Sequence, residues 1–459
     1  MQDRVTRTMV DFAQMKAFAE DPLVLTSGDG IRVTDVEGRT FIDGLSGTFC
    51  AALGHGNARL ADAGAAQLHR LAMAAPTMAT NDRALELIDV LLGLLPGNRY
   101  SVIKLFSGGS EATENAMKIA RQYHKQTGHA TKYKILSHYR AYHGGTGNAV
   151  AAGGWPAWRA PYEPLAGGFI HLHTPDPYRM PFDVAPGSVA QTYLRLVEET
   201  IEMEGPSTIA ALITEPVLMS AGVVIPPEGY LPGLRELCDR HGILLIFDEI
   251  ITAFGRLGRM FASELFETWP DIMCLGKGMS GGYAPLSAVV MTPEIADAFW
   301  GDPRDLVQFH SGHTYGANPV ACAIGIAAIA EIVERRLDEN AARQGDRLMA
   351  GLRRAQDRHP AIGDVRGRGL LVGVELTRDR RTRERFPAEL EMGVRVRSEA
   401  RRRGLLLRAG HWMLVLAPPL TITDAEVDEV LAILDESLDA ALAGVEDGAV
   451  LVASPGTGA

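Results

Sequence analysis

The chain has 459 residues, 46% hydrophobic and 22% charged, with a formal net charge of −11 and a pI near 5.7. That composition excludes disordered and collagen-like classes and fits a globular chain long enough for one large core and a second, smaller one. Its negative averaged field argues against a nucleic acid or an anionic membrane as partner and favours small-molecule chemistry. Four scattered cysteines, Cys50, Cys238, Cys274 and Cys322, contain no CxxC pair. Neither a disulfide framework nor a zinc knuckle is predicted, and a reducing, cytoplasmic compartment fits. The opening "MQDRVTRTMVDFAQMKAF" has no apolar signal core, and no stretch approaches the roughly 20 apolar residues of a membrane span.

In chain order, "IRVTDVEGRTFIDGLSGTFC" (residues 31–50) predicts a short hairpin. Between about residues 100 and 300 come "SVIKLF", "KYKILSH", "IAALITEP", "GILLIFDEI", "DIMCLG" and "APLSAVVM", apolar runs separated by helical patterns. They predict buried strands of a mostly parallel sheet covered on both faces, an α/β architecture whose ligands gather at the carboxyl ends of the strands. Five of the runs lead into polar or glycine-rich segments: "SGGSEATENAMKIAR", "YRAYHGG", "EP", "DEI" and the one that begins with Lys277. From about residue 326 a long helix leads into "GRGLLVGVEL", "GLLLRAG" and "WMLVLAPPLTITDAEVDEVLAIL", a strand-rich α+β piece. A smaller domain built from both termini is predicted, and the tail "ASPGTGA" reads as a frayed end.

Lys277 stands out because only seven of the 45 basic residues are lysines, and none lies between Lys134 and Lys277 or after it. Arginine is this chain's default cation, and a guanidinium cannot serve where an amine must lose its proton. Gly108, Gly109 and Ser110 precede a helix whose Ala112, Ala116, Ile119 and Ala120 share one face. Free backbone N–H groups there suit a phosphate, though a plain turn would look the same. Asp248 ends an apolar run, where a carboxylate is costly unless paired, and serves either as a structural ion or as a fixed anion beside a ring nitrogen. Tyr142 and His143 offer an aromatic plane beside glycines, or ordinary core. His138, His143, His171 and His173 lack HExxH spacing, so no metal site is predicted. Jointly, a phosphate cradle, an aromatic plane, a buried carboxylate and a lone amine match what pyridoxal phosphate requires.

On "ITEPV", "GILLIFDEIITAFGRLG", "CLGKGMSGGYAPLSAV" and "SGHTYGANPVACA", the chain resembles the class III aminotransferases, pyridoxal phosphate enzymes of fold type I that include the ω-amine:pyruvate transaminases. The resemblance covers nearly the whole chain. It implies a large domain with a mostly parallel seven-stranded sheet flanked by helices, over residues 56–325, and a small α+β domain over 326–459, joined by an N-terminal segment, 1–55. Lys277 resembles the family's covalent cofactor lysine and Asp248 its pyridinium partner. Tyr142 and Ile250 resemble the residues on the two ring faces, and Gly108, Gly109, Ser110, His143 and Glu215 complete the implied cofactor contacts. Thr314 matches a threonine that reaches the phosphate from the neighbouring subunit, implying a homodimer or a tetramer.

Departures from the family pattern bear on substrate. The branch acting on ornithine and GABA carries glutamate where Ser220 stands and arginine where Val415 stands, a pair that manages 2-oxoglutarate. Arg408 instead falls where the ω-amine:pyruvate branch keeps a mobile arginine able to grip an acceptor carboxylate. Phe49, in place of a tryptophan, and Trp155 are the other candidate substrate contacts. Gly108 replaces a frequent serine or threonine, and Asn318 a frequent histidine, the latter without a functional account. The resemblance implies ping-pong amino transfer from an ω-amino acid or primary amine to a small 2-oxo acid, pyruvate first. A 2-oxoglutarate-dependent aminotransferase, a decarboxylase, an aminomutase, a racemase and a non-catalytic regulator are the alternatives.

Overall fold

The computed structural model describes residues 2–185, 187–305, 307–443, 445–446 and 449–450; the tail "ASPGTGA" lies outside them. Strands β1 (Leu25–Asp29), β2 (Arg32–Asp35) and β3 (Thr40–Asp43) form an antiparallel meander, so the expected hairpin is present with one further strand before it. The central sheet uses β4 (Val102–Phe106), β5 (Lys134–His138), β6 (Phe169–Leu172), β7 (Ile209–Thr214), β8 (Leu244–Asp248), β9 (Ile272–Leu275) and β10 (Ser287–Met291). Their order is β4-β10-β9-β8-β7-β5-β6. Neighbours from β9 to β6 pair in parallel, while β10 is antiparallel to both β9 and β4. β4 therefore runs with the parallel set, and only β10 opposes it.

The composition of these strands explains their place. Every residue of β7, β9 and β10 is buried, as expected for aliphatic runs covered on both faces. The helix Gly109–Gln126 lays Ala112, Ala116, Ile119 and Ala120 against Ile272, Cys274 and Val289, with none of the four more than 1% exposed. Small side chains on that face let the helix approach the sheet closely and seat its first turn at the rim. The apolar runs reveal six strands; the seventh, β6, is a half-buried edge strand of four residues.

In a further four-stranded sheet, β11 (Ile362–Arg368), β12 (Leu371–Leu376), β14 (Arg408–Ala409) and β15 (Met413–Leu416) follow the order β11-β12-β15-β14. The two-residue β13 (Leu405–Leu406) pairs in parallel with β3, which joins the N-terminal meander to the C-terminal part. The long helix expected from about residue 326 begins earlier, as Pro319–Glu334, and is followed by Leu337–Arg358. Asn318 sets that start: its side chain accepts from Val320 N at 3.0 Å and Ala321 N at 3.1 Å, and Pro319 fills the first helical position. The residue with no account in the sequence is thus a helix cap.

Candidate active site

The carboxyl ends of β4, β5, β7, β8 and β9 meet around a cavity of about 440 Å³. Gly108, Gly109, Ser110, Tyr142, His143, Glu215, Asp248, Ile250 and Lys277 all line it. Segments far apart in sequence converge there because each leaves its strand at the same rim.

At the end of β4 the chain turns directly into the helix Gly109–Gln126, and no side chain caps its first turn. Those backbone N–H groups remain available to an anion. A Cβ on Gly144 would lie 2.5 Å from Ser110 Oγ, and Gly144 has a φ of +132°, so only glycine lets this loop close over the helix start. Gly145 N then donates to Ser110 Oγ at 3.0 Å.

β8 ends on Asp248, which is 6% exposed. One carboxylate oxygen accepts from Ile250 N at 3.2 Å and the other lies 2.9 Å from His143 Nδ1. His143 Nε2 is buried without a hydrogen-bond partner. The imidazole thus has one polar contact, and that contact orients Asp248.

Glu215, just past β7, accepts from Tyr142 N and Met219 N, both at 3.1 Å, and so ties two loops of the rim together. Burial pushes its carboxyl up to about 7; His143 opposes the rise and Asp248 adds to it. Burial also raises the Tyr142 phenol, with Arg408 acting the other way.

Lys277 follows β9 and Gly276 at the start of a 3-10 turn, Lys277–Ser280, and has a φ of +46°. This left-handed backbone breaks the strand and costs about 1–2 kcal/mol, the kind of local strain that marks functional positions. Lys277 Nζ has no hydrogen-bond or ion-pair partner among the described residues.

The remaining candidates are placed differently. Phe49 is 2% exposed and packs with Val217, Met219 and Val415 rather than lining the cavity; its neighbours Thr48 and Cys50 line it instead. Arg408 is partly buried on β14, close enough to Tyr142 and Glu215 for both to act on its charge, and makes no hydrogen bond among the described residues. Trp155 donates Nε1–H to Ser220 O at 3.2 Å and lines an adjoining cavity. Thr314 is exposed and does not line this chain's own cavity. Sequence reasoning missed Phe12 and Trp158, whose rings lie 6.3 and 5.5 Å from that of Tyr142. Neither residue carried a local sequence signal: Trp158 lies in the four-residue helix Pro156–Arg159, and Trp155 precedes that helix in extended conformation.

Residues 15–438 match the family described as Aminotransferase class-III. The chain is a class III aminotransferase. The structure of an (S)-enantioselective omega-transaminase from Thermomicrobium roseum superposes on the aminotransferase with a TM-score of 0.92, at 37% identity, covering 96% of this chain and 98% of that one. An adenosylmethionine-8-amino-7-oxononanoate aminotransferase of Geobacter sulfurreducens is 36% identical over 97% of this chain and 100% of its own length. A mitochondrial gamma-aminobutyrate transaminase of Oryza sativa subsp. indica is 34% identical over 91% and 81%. The last two are named for different compounds, so the family alone does not fix the substrate. The aminotransferase uses pyridoxal phosphate, as its family does. An uncapped helix start, an unpartnered amine and a buried, oriented carboxylate around one cavity fit that group.

Proposed function

We propose that this aminotransferase moves an amino group from an ω-amino acid or primary amine to a small 2-oxo acid, pyruvate first, by a ping-pong mechanism. The cofactor, when bound, supplies an electron sink and carries the amino group between half-reactions. Lys277 Nζ would take the proton from the donor's amine-bearing carbon and pass it on to the cofactor, and would carry a proton the opposite way, to the acceptor's carbon, in the second half-reaction. Asp248, aligned by His143 Nδ1–H and Ile250 N–H, holds a proton on the ring nitrogen. The first-turn N–H groups at Gly108–Ser110 would hold the phosphate, Tyr142 and Ile250 would contact the ring, and Glu215 fixes the backbone that carries Tyr142.

The observation that carries the choice of acceptor is Arg408, a guanidinium near Tyr142 without a hydrogen-bond partner among the described residues. A planar fork in that state is ready for a carboxylate and can withdraw when an apolar amine takes its place. We further infer a homodimer, or a tetramer of two such dimers, in which exposed Thr314 reaches the partner's phosphate, a cytoplasmic setting, and the division 1–55, 56–325 and 326–459. No helix among the described residues is long and apolar enough to cross a membrane.

The test is a visible spectrum of the purified holoenzyme. The yellow cofactor band is expected to bleach with 1-phenylethylamine and return with pyruvate; a return with 2-oxoglutarate alone would overturn the proposed acceptor.

A further inference from the structure

Beside the active-site cavity lies a second one of about 300 Å³, and the two share Tyr142 and Gly144 as wall. Its lining is aromatic. Trp158 meets Tyr142 edge-on at 5.5 Å, Trp155 lies 6.0 Å from Trp158, and Phe12 stands 5.5 Å from Trp158. Tyr162 and Leu165 complete the box. Phe12 and Tyr162 remain 75% and 67% exposed, so apolar surface is left wet at the mouth of a site, as binding surfaces leave it.

Arg159 is the one charged residue among those lining this annex. Its Nη1 lies 3.1 and 3.0 Å from the two ring nitrogens of His171, and its Nε is buried without a partner. Burial, and then Arg159 itself, hold His171 below the ordinary histidine range, so the ring brings no charge to the contact. His171 stacks in turn on Tyr139 at 5.2 Å, which fixes the guanidinium in place. No carboxylate pairs with Arg159 among the described residues. A partly desolvated cation without a counter-ion at the end of an aromatic box is costly unless a ligand brings the anion.

We propose that this annex is a donor subsite for amines whose aryl or long alkyl body ends in a carboxylate. The body lies among Trp155, Trp158 and Tyr162, and the carboxylate pairs with Arg159. This rests on the amine-donor function proposed above and extends it. Arg408 grips a carboxylate next to the reacting carbon, whereas Arg159 grips one remote from it. Two arginines at different reach let one enzyme accept a short 2-oxo acid and a longer acidic donor in the same cavity system.

The test compares donors on the wild-type holoenzyme with pyruvate as acceptor: 4-(1-aminoethyl)benzoate, its primary carboxamide and 1-phenylethylamine. The acid is expected to exceed the carboxamide in kcat/KM by about tenfold or more, the worth of one charge-assisted hydrogen bond. Arg159→Gln should erase that ratio and Arg159→Lys should keep part of it. The wild-type ratio needs no variant, so loosening of the His171 contact cannot obscure it. Equal use of acid and carboxamide, or a preference that survives R159Q, would overturn the annex while leaving amine transfer intact. Failure of all three donors, 1-phenylethylamine included, would overturn the broader proposal and the annex with it.

Discussion

Arg408 lies directly opposite Val415 across the antiparallel β14–β15 pair. Opposed residues in such a pair point to the same face, and Val415 is 4% exposed beside Phe49 and Val217. An arginine at either position would therefore project from the same face of this sheet, and this chain carries it on the edge strand β14. Arg408→Leu should lower kcat/KM for pyruvate by roughly 10- to 150-fold, the loss of about 1.5–3 kcal/mol from a charged hydrogen-bond pair. Steady-state kinetics against varied pyruvate checks this; an unchanged KM and kcat would remove Arg408 from acceptor recognition.

Lys277→Ala should abolish the covalent link to the cofactor and cut turnover by at least about 10²–10⁴-fold, the usual worth of a positioned proton-transfer group. Borohydride reduction followed by mass spectrometry reads the link directly: a cofactor-sized adduct on the wild-type peptide containing Lys277, and none on the variant. An adduct on another lysine would place the chemistry elsewhere.

Gly144→Ala should weaken cofactor binding by about tenfold or more and cost roughly 1–3 kcal/mol of stability, because the new Cβ falls within 2.5 Å of Ser110 Oγ at a φ of +132°. Titration of the cofactor-free protein with pyridoxal phosphate, together with thermal melts, separates the two effects. Normal affinity in a destabilised variant would mean that the loop does not shape the phosphate cradle.

Glu215 makes stability depend on pH. Its carboxyl is raised from 4.5 to about 7, chiefly by burial, so between those values the folded state keeps a proton that the unfolded state has released. Stability of the cofactor-free protein therefore falls as pH rises through that window, by roughly 3 kcal/mol, and levels off above it. In Glu215→Gln this dependence disappears, at a fixed cost of about 1–3 kcal/mol, since the amide cannot accept from both Tyr142 N and Met219 N. Urea unfolding from pH 5 to 8 checks the slope; a constant difference between wild type and variant would mean that Glu215 is already ionised at pH 5.

The sheet was legible because six of its strands fall in mainly apolar runs, and the rim was legible because polar or glycine-rich segments follow five of them at once. β6 escaped because "FIHL" is short, half-buried and at an edge, where neither a continuous apolar run nor clean alternation develops. Lys277, Asp248 and the helix start could be assigned to one rim because each directly follows an apolar run. The aromatic annex could not, since Phe12 and Trp158 meet Tyr142 only through the folding of three separate segments, and no local periodicity encodes that meeting. Phe49 shows the converse: an aromatic residue between two cavity-lining neighbours whose left-handed backbone, φ +63°, turns its ring into the core.

The helix Met15–Glu20 buries none of its side chains, yet Phe12, just before it, closes one wall of the annex. A stretch with so little anchoring adds little to the melting temperature but sits where long donors must pass. Fusion tags, trimming or immobilisation through this end of the protein would then register as altered donor selectivity in a preparation that melts normally. Comparisons between expression formats should accordingly be made at a matched N-terminus.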